Sequence, residues 1–341
     1  MKKKIIYTFA AILIIGGMFG YNYYQKIFGK AITKEHILYV TATNSLLDIK
    51  KELEEYSNSP ETFLWVAAKK DFSNPKPGRY VLTAGMSNND LVNMLRSGRQ
   101  TPFKLSFNNQ DTLEKFAGRI AEQIETDSIS LLTSFKDAQF LKENNLNEKS
   151  VLQIFIPNTY EFYWTVSPES FRSKMLVAYK RFWNENRLEK ARKINLSKEE
   201  VSTLASIVQK ETAQNSERPI VAGLYLNRLN NGWPLQADPT IIYCVKEIKG
   251  QDYVVKRVLT VDLEINSPYN TYKNKGLPPT LIAMPDISTI DGVLNATKHN
   301  YFYMCASIDK IGYHEFAKTL TQHNRNAAKY QRWLSAQGVS R

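Results

Sequence analysis

From Ile5 to Gln25 the chain is an uninterrupted uncharged run, preceded by Lys2, Lys3 and Lys4. As a helix this run would be about 31 Å long, enough to cross a bilayer core. Tyr21, Tyr23 and Tyr24 fall at its far end, where an interfacial aromatic belt would sit. A cleavable signal peptide is the competing reading. No small-x-small site follows the run, whose exit reads Met18-Phe19-Gly20-Tyr21-Asn22. The flanks therefore favour an uncleaved membrane anchor over residues 5–25. By the positive-inside rule, residues 1–4 are then a cytoplasmic tail, and everything after the run lies outside the cytoplasm.

Past a polar linker over 26–36, the pattern shortens and alternates. Ile37 to Val40 reads as a strand. Ser45 to Tyr56 reads as a helix capped by Ser45, with Leu46, Ile49 and Leu53 on one face. A turn cluster at 73–78 leads into a strand over Arg79 to Leu82. Asn88 to Arg96 is a helix with Leu91, Met94 and Leu95 inward, closed by Gly98. Residues 37–100 thus form a small α+β module. Pro102 to Phe107 is a further strand and Leu113 to Ile124 an amphipathic helix. From about Pro168 to Trp233 the pattern is mostly helical, and a loop-rich stretch follows. The expected class is α+β: one membrane helix, one small module, and a mixed α+β body over 101–341.

One helix carries an acid where its pattern calls for an apolar residue. Ser197 caps a helix from Lys198 to about Ala213, and Glu200 completes a capping box. At about 100° per residue, Val201, Leu204, Ala205, Ile207 and Val208 form one stripe, and Glu211 falls on it. An acid on a buried face loses solvation, which raises its pKa and keeps it protonated near neutrality, as a general acid requires. The alternative is a structural Glu that turns back to water or pairs with Arg218 or Arg228.

The net charge of +12 over 341 residues first suggests nucleic acid, an anionic membrane or an acidic polymer as partner. Its location narrows that choice. Residues 1–30 carry five lysines and no acid, and residues 298–341 carry seven basic against two acidic residues. The body between is nearly neutral, which removes the case for nucleic acid. With 23% charged residues, 43% hydrophobic residues and no low-complexity segment, the chain is neither disordered nor polytopic. Two cysteines, Cys244 and Cys305, exclude a disulfide scaffold and a four-cysteine zinc site. Whether the two pair with each other stays open.

No G-x-S-x-G, P-loop or H-E-x-x-H motif is present, and no two histidines share the i,i+4 spacing of metal ligands. No metal or cofactor is expected. The loop Trp233-Pro234-Leu235-Gln236-Ala237-Asp238-Pro239-Thr240 gathers an amide, a carboxylate and a hydroxyl. Ser267 to Tyr272 and Gly276 to Pro279 add polar and aromatic loops. Aromatics beside amides suit a carbohydrate, although the same residues also make turns and fill cores.

Several blocks resemble the endolytic murein transglycosylase (MltG/YceG-like) family. Leu204-Ala205-Ser206-Ile207-Val208-Gln209-Lys210-Glu211-Thr212 resembles its catalytic helix. Tyr225-Leu226-Asn227-Arg228-Leu229, Leu235-Gln236-Ala237-Asp238-Pro239-Thr240, Tyr269-Asn270-Thr271-Tyr272 and Gly276-Leu277-Pro278-Pro279 follow in the family's order. Ile156-Pro157-Asn158-Thr159-Tyr160, His314-Glu315-Phe316 and His323-Asn324 also fit. The apolar run and the stretch from Gly78 to Gly98 are similar to its anchor and LysM-like module.

The resemblance implies a single-pass inner-membrane enzyme whose extracytoplasmic domain cuts nascent peptidoglycan strands. The bond would be the β-1,4 link between N-acetylmuramic acid and N-acetylglucosamine, leaving a 1,6-anhydro end. It implies Glu211 as the acid/base, Gln236 and Asp238 as positioning residues, and Asn270 and Tyr272 lining the groove. Peptidoglycan synthases are candidate partners. Two departures stand out: Gln209 where the family usually has an acid, and Asp286 where a glycine is usual. Two other readings remain: a hydrolase using Glu211 and Asp238 as a pair, and a non-catalytic wall-binding scaffold built on 37–100.

Overall fold

The computed structural model describes residues 2–337, which divide into two compact units. The first comprises the chain up to Leu105 with two short returns, 121–126 and 160–167. It opens with α1 (Lys2–Phe28), exposed from Lys3 to Lys26 and the one helix, among the described residues, long and apolar enough to cross a membrane. Then come β1 (His36–Val40), α2 (Leu46–Leu53), α3 (Pro60–Lys69), β2 (Gly78–Leu82) and α4 (Asn88–Ser97). β1 and β2 pair antiparallel, with His36 opposite Leu82 and Val40 opposite Gly78. Alternation along the strands turns Leu38, Val40, Tyr80 and Leu82 inward, against Ile49, Leu53, Phe63, Val66, Leu91 and Leu95 of the helices.

Local signals set these boundaries. Ser45 and Asp48 form a capping box on α2, and Ser87 caps α4 through the Asp90 amide at 3.1 Å. Gly98 ends α4 in the left-handed region at φ 70°. Two features depart from the sequence reading. α3 has no counterpart in it. The stretch read as a linker over 26–36 is ordered: α1 runs on to Phe28, Ala31 and Ile32 are buried, and Ile32 bridges to Ser57. Its polar residues dominate the composition, but apolar Ile27, Ala31 and Ile32 decide the packing. At this end of α1, Tyr23 meets Trp65 edge to face at 5.2 Å, and Lys26 lies over the same ring.

β3 (Phe103–Phe107) and β4 (Asn158–Phe162) are the strands along which the chain passes from one unit to the other. The second unit carries α5 (Leu113–Ala121), α6 (Ser128–Phe135), α7 (Ala138–Glu143), α8 (Pro168–Phe182) and α9 (Glu185–Lys193). Phe116, Phe135, Phe155 and Phe171 stack at its centre, the closest centroids 4.4 Å apart. α10 (Lys198–Glu211), α11 (Arg218–Asn230), α12 (Asp238–Lys249) and α13 (Ile287–Leu294) follow, and α10 packs against the other three. β5 (Tyr303–Ala306) and β6 (His314–Ala317) form an antiparallel pair, and α14 (Leu320–Ala336) closes the described chain. Cys244 and Cys305 are free thiols.

α10 is built as its pattern requires. Val201, Leu204, Ala205, Ile207 and Val208 are fully buried. Ser197 Oγ accepts from the Glu200 amide at 3.1 Å, and Glu200 Oε2 accepts from the Ser197 amide at 2.8 Å. Ser197→Ala should therefore destabilise the unit by about 1 kcal/mol, read in a denaturant melt. An unchanged midpoint would show that packing alone starts the helix.

Candidate active site

Glu211 is the last residue of α10, and Thr212 caps the helix. Glu211 keeps only part of its surface accessible. Its carboxyl Oε1 accepts a 2.7 Å hydrogen bond from the buried Tyr225 hydroxyl, projected from α11. No ion pair to Arg218 or Arg228 forms at Glu211. Arg218 instead donates to Ser288 and faces Asp286, while Arg228 Nε donates to the Phe302 carbonyl at 2.8 Å. Burial pushes the Glu211 carboxyl above the ordinary carboxylate value. The bond from Tyr225 and the nearby His314 and Arg228 pull the other way, and Asp238 adds to the rise. The negative end of the α10 dipole also disfavours a charge there.

Asp238 opens α12, not a loop as its two flanking prolines suggest, because Pro239 sits in the first turn where a missing N–H does no harm. The exposed Asp238 carboxylate accepts from the Tyr272 hydroxyl at 2.5 Å. Tyr272 and Asp238 both act electrostatically around Glu211, so these three form one constellation. Gln236 is exposed at φ 48°, an unusual conformation for a side-chain-bearing residue, held by its amide to the Thr271 carbonyl at 3.0 Å. Asn270, expected to line the groove, is fully buried instead. Its side-chain amide donates to the Leu263 and Ile265 carbonyls at 2.8 Å, and its oxygen accepts from the Tyr272 amide. Asn270 therefore shapes the turn that presents Tyr272.

Three contributors were not singled out as site residues from sequence. Tyr225 and Arg228 sit at i,i+3 on α11, within a block that matches the family, so their common face was the available signal. Glu217 is buried and its carboxylate is fully engaged. Thr212 Oγ1 donates at 2.8 Å, the His314 amide donates at 2.6 Å, and the His314 ring nitrogen Nδ1 lies 2.8 Å away. This ties β6 to the residue next to Glu211 and fixes the imidazole orientation. Nothing local in the sequence links positions so far apart.

Gln209 and Asp286, expected from the resemblance to depart from the usual residues, meet in space. Gln209 Nε2 donates to Asp286 Oδ2 at 3.0 Å, and the Asp286 amide donates back to Gln209 Oε1 at 3.3 Å. A larger cavity of about 800 Å³, lined among others by Tyr243, Tyr269, Lys136 and Lys149, does not include Glu211. Its lysines are paired, Lys136 with Glu114 at 3.1 Å and Lys149 with Glu247 at 2.8 Å. It is therefore a poorer place for chemistry than the Glu211 cluster. No group of three or more potential ligands is arranged to hold a metal among the described residues.

The YceG-like family model matches residues 38–329, which takes in the whole constellation. The chain belongs to the YceG-like family. Two relatives extend the match. One, named endolytic murein transglycosylase, is from Bacillus subtilis strain 168; it is 28% identical, over 93% of this chain and 91% of its own. Another of that name, from Streptococcus pneumoniae serotype 2 strain D39, is 27% identical over 95% of this chain. This YceG-like chain spans 64% of the pneumococcal protein's length. The crystal structure of a yceG-like protein from Listeria monocytogenes is similar at a TM-score of 0.57 and 29% identity, covering 86% of this chain and 98% of that one.

Within this YceG-like site the Tyr225 bond has a testable sign. A donated hydrogen bond favours the carboxylate, so Tyr225→Phe raises the Glu211 pKa further. Were Glu211 the acid of a reaction at this site, that reaction would persist to higher pH. The alkaline limb of kcat/KM should move up, with turnover at the optimum down about tenfold, since one neutral bond contributes about 1 kcal/mol. A limb that stays put would leave Tyr225 a packing residue only.

Proposed function

We propose that this chain is a membrane-anchored lytic transglycosylase that cuts peptidoglycan strands internally. The observation that carries this reading is Glu211: a carboxyl raised by burial, held at one oxygen by Tyr225, in a family whose curated relatives bear that activity in their names. With one oxygen held by Tyr225, the other is left for the substrate.

The protonated carboxyl of Glu211 gives its proton to the glycosidic oxygen between N-acetylmuramic acid and N-acetylglucosamine, and the bond to the muramoyl C1 breaks. The resulting carboxylate takes the proton of the muramoyl C6 hydroxyl as that oxygen bonds to C1. A 1,6-anhydro end forms, the proton is back on Glu211, and no water is consumed. Because the nucleophile belongs to the substrate, a second carboxylate has no chemical task, unlike in two-carboxylate hydrolases. Asp238, engaged by Tyr272, fits positioning better than attack. Gln236 is an exposed amide available to sugar hydroxyls.

The rest of the chain fits a tethered enzyme. α1 crosses the cytoplasmic membrane with Lys2, Lys3 and Lys4 inside, which puts the catalytic unit outside the cytoplasm. The strand–helix–helix–strand order of β1, α2, α3 and β2 is consistent with a LysM-like, glycan-binding module over 37–100. Peptidoglycan strands are the substrate, and peptidoglycan synthases are the candidate partners.

Digestion of uncrosslinked glycan strands by the full chain in detergent tests the proposal, with product ends identified by mass. Anhydro ends are expected. Reducing ends would replace it with the hydrolase that pairs Glu211 with Asp238. Bound but uncut strands would leave a wall-binding scaffold.

A further inference from the structure

The segment between α11 and α12 is an irregular loop with two buried and three exposed side chains, turned at Gln236 by its left-handed backbone. Leu235 and Ala237 are fully buried, whereas Trp233, Gln236 and Asp238 are exposed. Its backbone is fastened along its length. Gly232, at φ 66°, turns the chain out of α11, and the Trp233 amide donates to the Arg228 carbonyl at 2.9 Å. The Arg228 guanidinium donates to the Leu235 carbonyl, and Thr271 holds the amides of Gln236 and Ala237 at 3.0 Å each. A loop held this way presents its outward side chains at fixed positions.

Trp233 is 39% exposed yet not loose. Its ring meets Phe302 at 5.1 Å and the edge of Tyr303 at 5.9 Å. Tyr303 in turn stacks on His323 at 5.4 Å. Burial, with Arg228 nearby, pushes the His323 imidazole below its ordinary value, so the ring that backs Tyr303 is neutral. The result is a rigid aromatic surface at the edge of the unit, open to solvent on the Trp233 side. The platform and Glu211 share an anchor. Arg228 bonds the carbonyl of Phe302, which backs Trp233, and that of Leu235 beside Gln236, and it lies within electrostatic reach of Glu211.

We infer that Trp233, backed by Phe302 and Tyr303, is a stacking subsite for a sugar ring of the glycan strand several units from the bond cut at Glu211. The inference rests on the glycan-cleaving reading of Glu211. The chemistry is general: the apolar face of a pyranose stacks on an indole, and the neighbouring amide and carboxylate take its hydroxyls. Even fully extended, the chain from Trp233 to Asp238 would cover at most about 17 Å, and the turn at Gln236 brings its ends nearer, within the scale of a short run of sugars. In chain order the segment offers an indole, an amide and the carboxylate beside Tyr272. Such a subsite makes the enzyme prefer strands long enough to reach the indole.

Binding is measured with full-length Glu211→Gln protein in detergent, so that strands stay intact, using uncrosslinked glycan strands as the probe. Adding Trp233→Ala should weaken affinity about tenfold, while Trp233→Phe, which keeps a ring, should weaken it less than threefold. Thermal melts of both variants check that the fold is retained. Affinity within twofold of the parent after Trp233→Ala overturns the subsite, and so does equal loss in the Ala and Phe variants. The two readings fail separately. Reducing ends from the Glu211 enzyme would sink the transglycosylase mechanism, yet a Trp233-dependent affinity for strands would still uphold the platform.

Discussion

Glu211→Gln should lower turnover on glycan strands by about 10³–10⁴-fold, the upper range for loss of a group that gives and then takes a proton. Gln keeps the shape and can still accept the Tyr225 bond at 2.7 Å, so binding of strands should survive. Stability moves the other way. The Glu211 pKa is raised in the folded protein by burial, so wild-type stability falls as pH climbs from the ordinary carboxylate range through the raised value. A neutral Gln lacks that loss. The variant should therefore melt at or above the wild-type temperature at neutral and alkaline pH, and the gap should close in acid. An inactive variant that is also less stable at every pH would mean that Glu211 is a packing residue whose loss disturbs the site indirectly.

Arg228→Met should cost about 2–4 kcal/mol of folding stability and about 10²-fold in kcat/KM. The side chain is buried, and its guanidinium serves two carbonyls, Phe302 and Leu235. Hydrogen bonds from a charged donor contribute about 1.5–3 kcal/mol each, offset in part by the desolvation of the buried cation that methionine relieves. The activity loss follows because the loop carrying Gln236 and leading to Asp238 loses its fastening, and a displacement of about 1 Å near a reacting centre is worth about 10²-fold. Removing the positive charge also raises the Glu211 pKa, so the residual activity should extend to higher pH. Arg228→Lys should not rescue, since a point donor cannot span both carbonyls as a planar fork does. A lysine variant that behaves like wild type in melts and kinetics would sink the two-carbonyl account.

Helices with clean amphipathic periods were legible in the sequence, and so were their caps. α10 is the clearest case: the capping box at Ser197 and the apolar stripe define the helix, while the acid on that stripe also allows a structural Glu, and only the family resemblance singles out Glu211. α4, with Ser87 at one end and Gly98 at the other, was legible for the same reason. α3 was not, because Phe63, Leu64, Trp65, Val66 and Ala67 are apolar in succession and leave no period to read. The start of α12 was hidden by Pro239, a residue that breaks helices inside but suits their first turn. Within the site, Asp238 and Tyr272 were named from loop chemistry. Tyr225 and the Glu217–His314 pair depend on how distant helices and strands pack, which local patterns do not encode. Asn270 was misread as groove-lining because an amide in a turn serves backbone carbonyls as readily as a ligand.

The contact between Gln209 and Asp286 constrains how this sequence can change. Gln209→Glu alone would set two carboxylates about 3 Å apart on a half-buried seam between α10 and the start of α13. Asp286→Gly alone would strand the Gln209 amide and leave the buried Arg218 guanidinium without its carboxylate partner at 3.6 Å. Either single exchange is therefore disfavoured, the first by like charge and the second by an unpaired buried cation. The two positions are coupled in both directions, so a segment exchanged with a relative must carry both together.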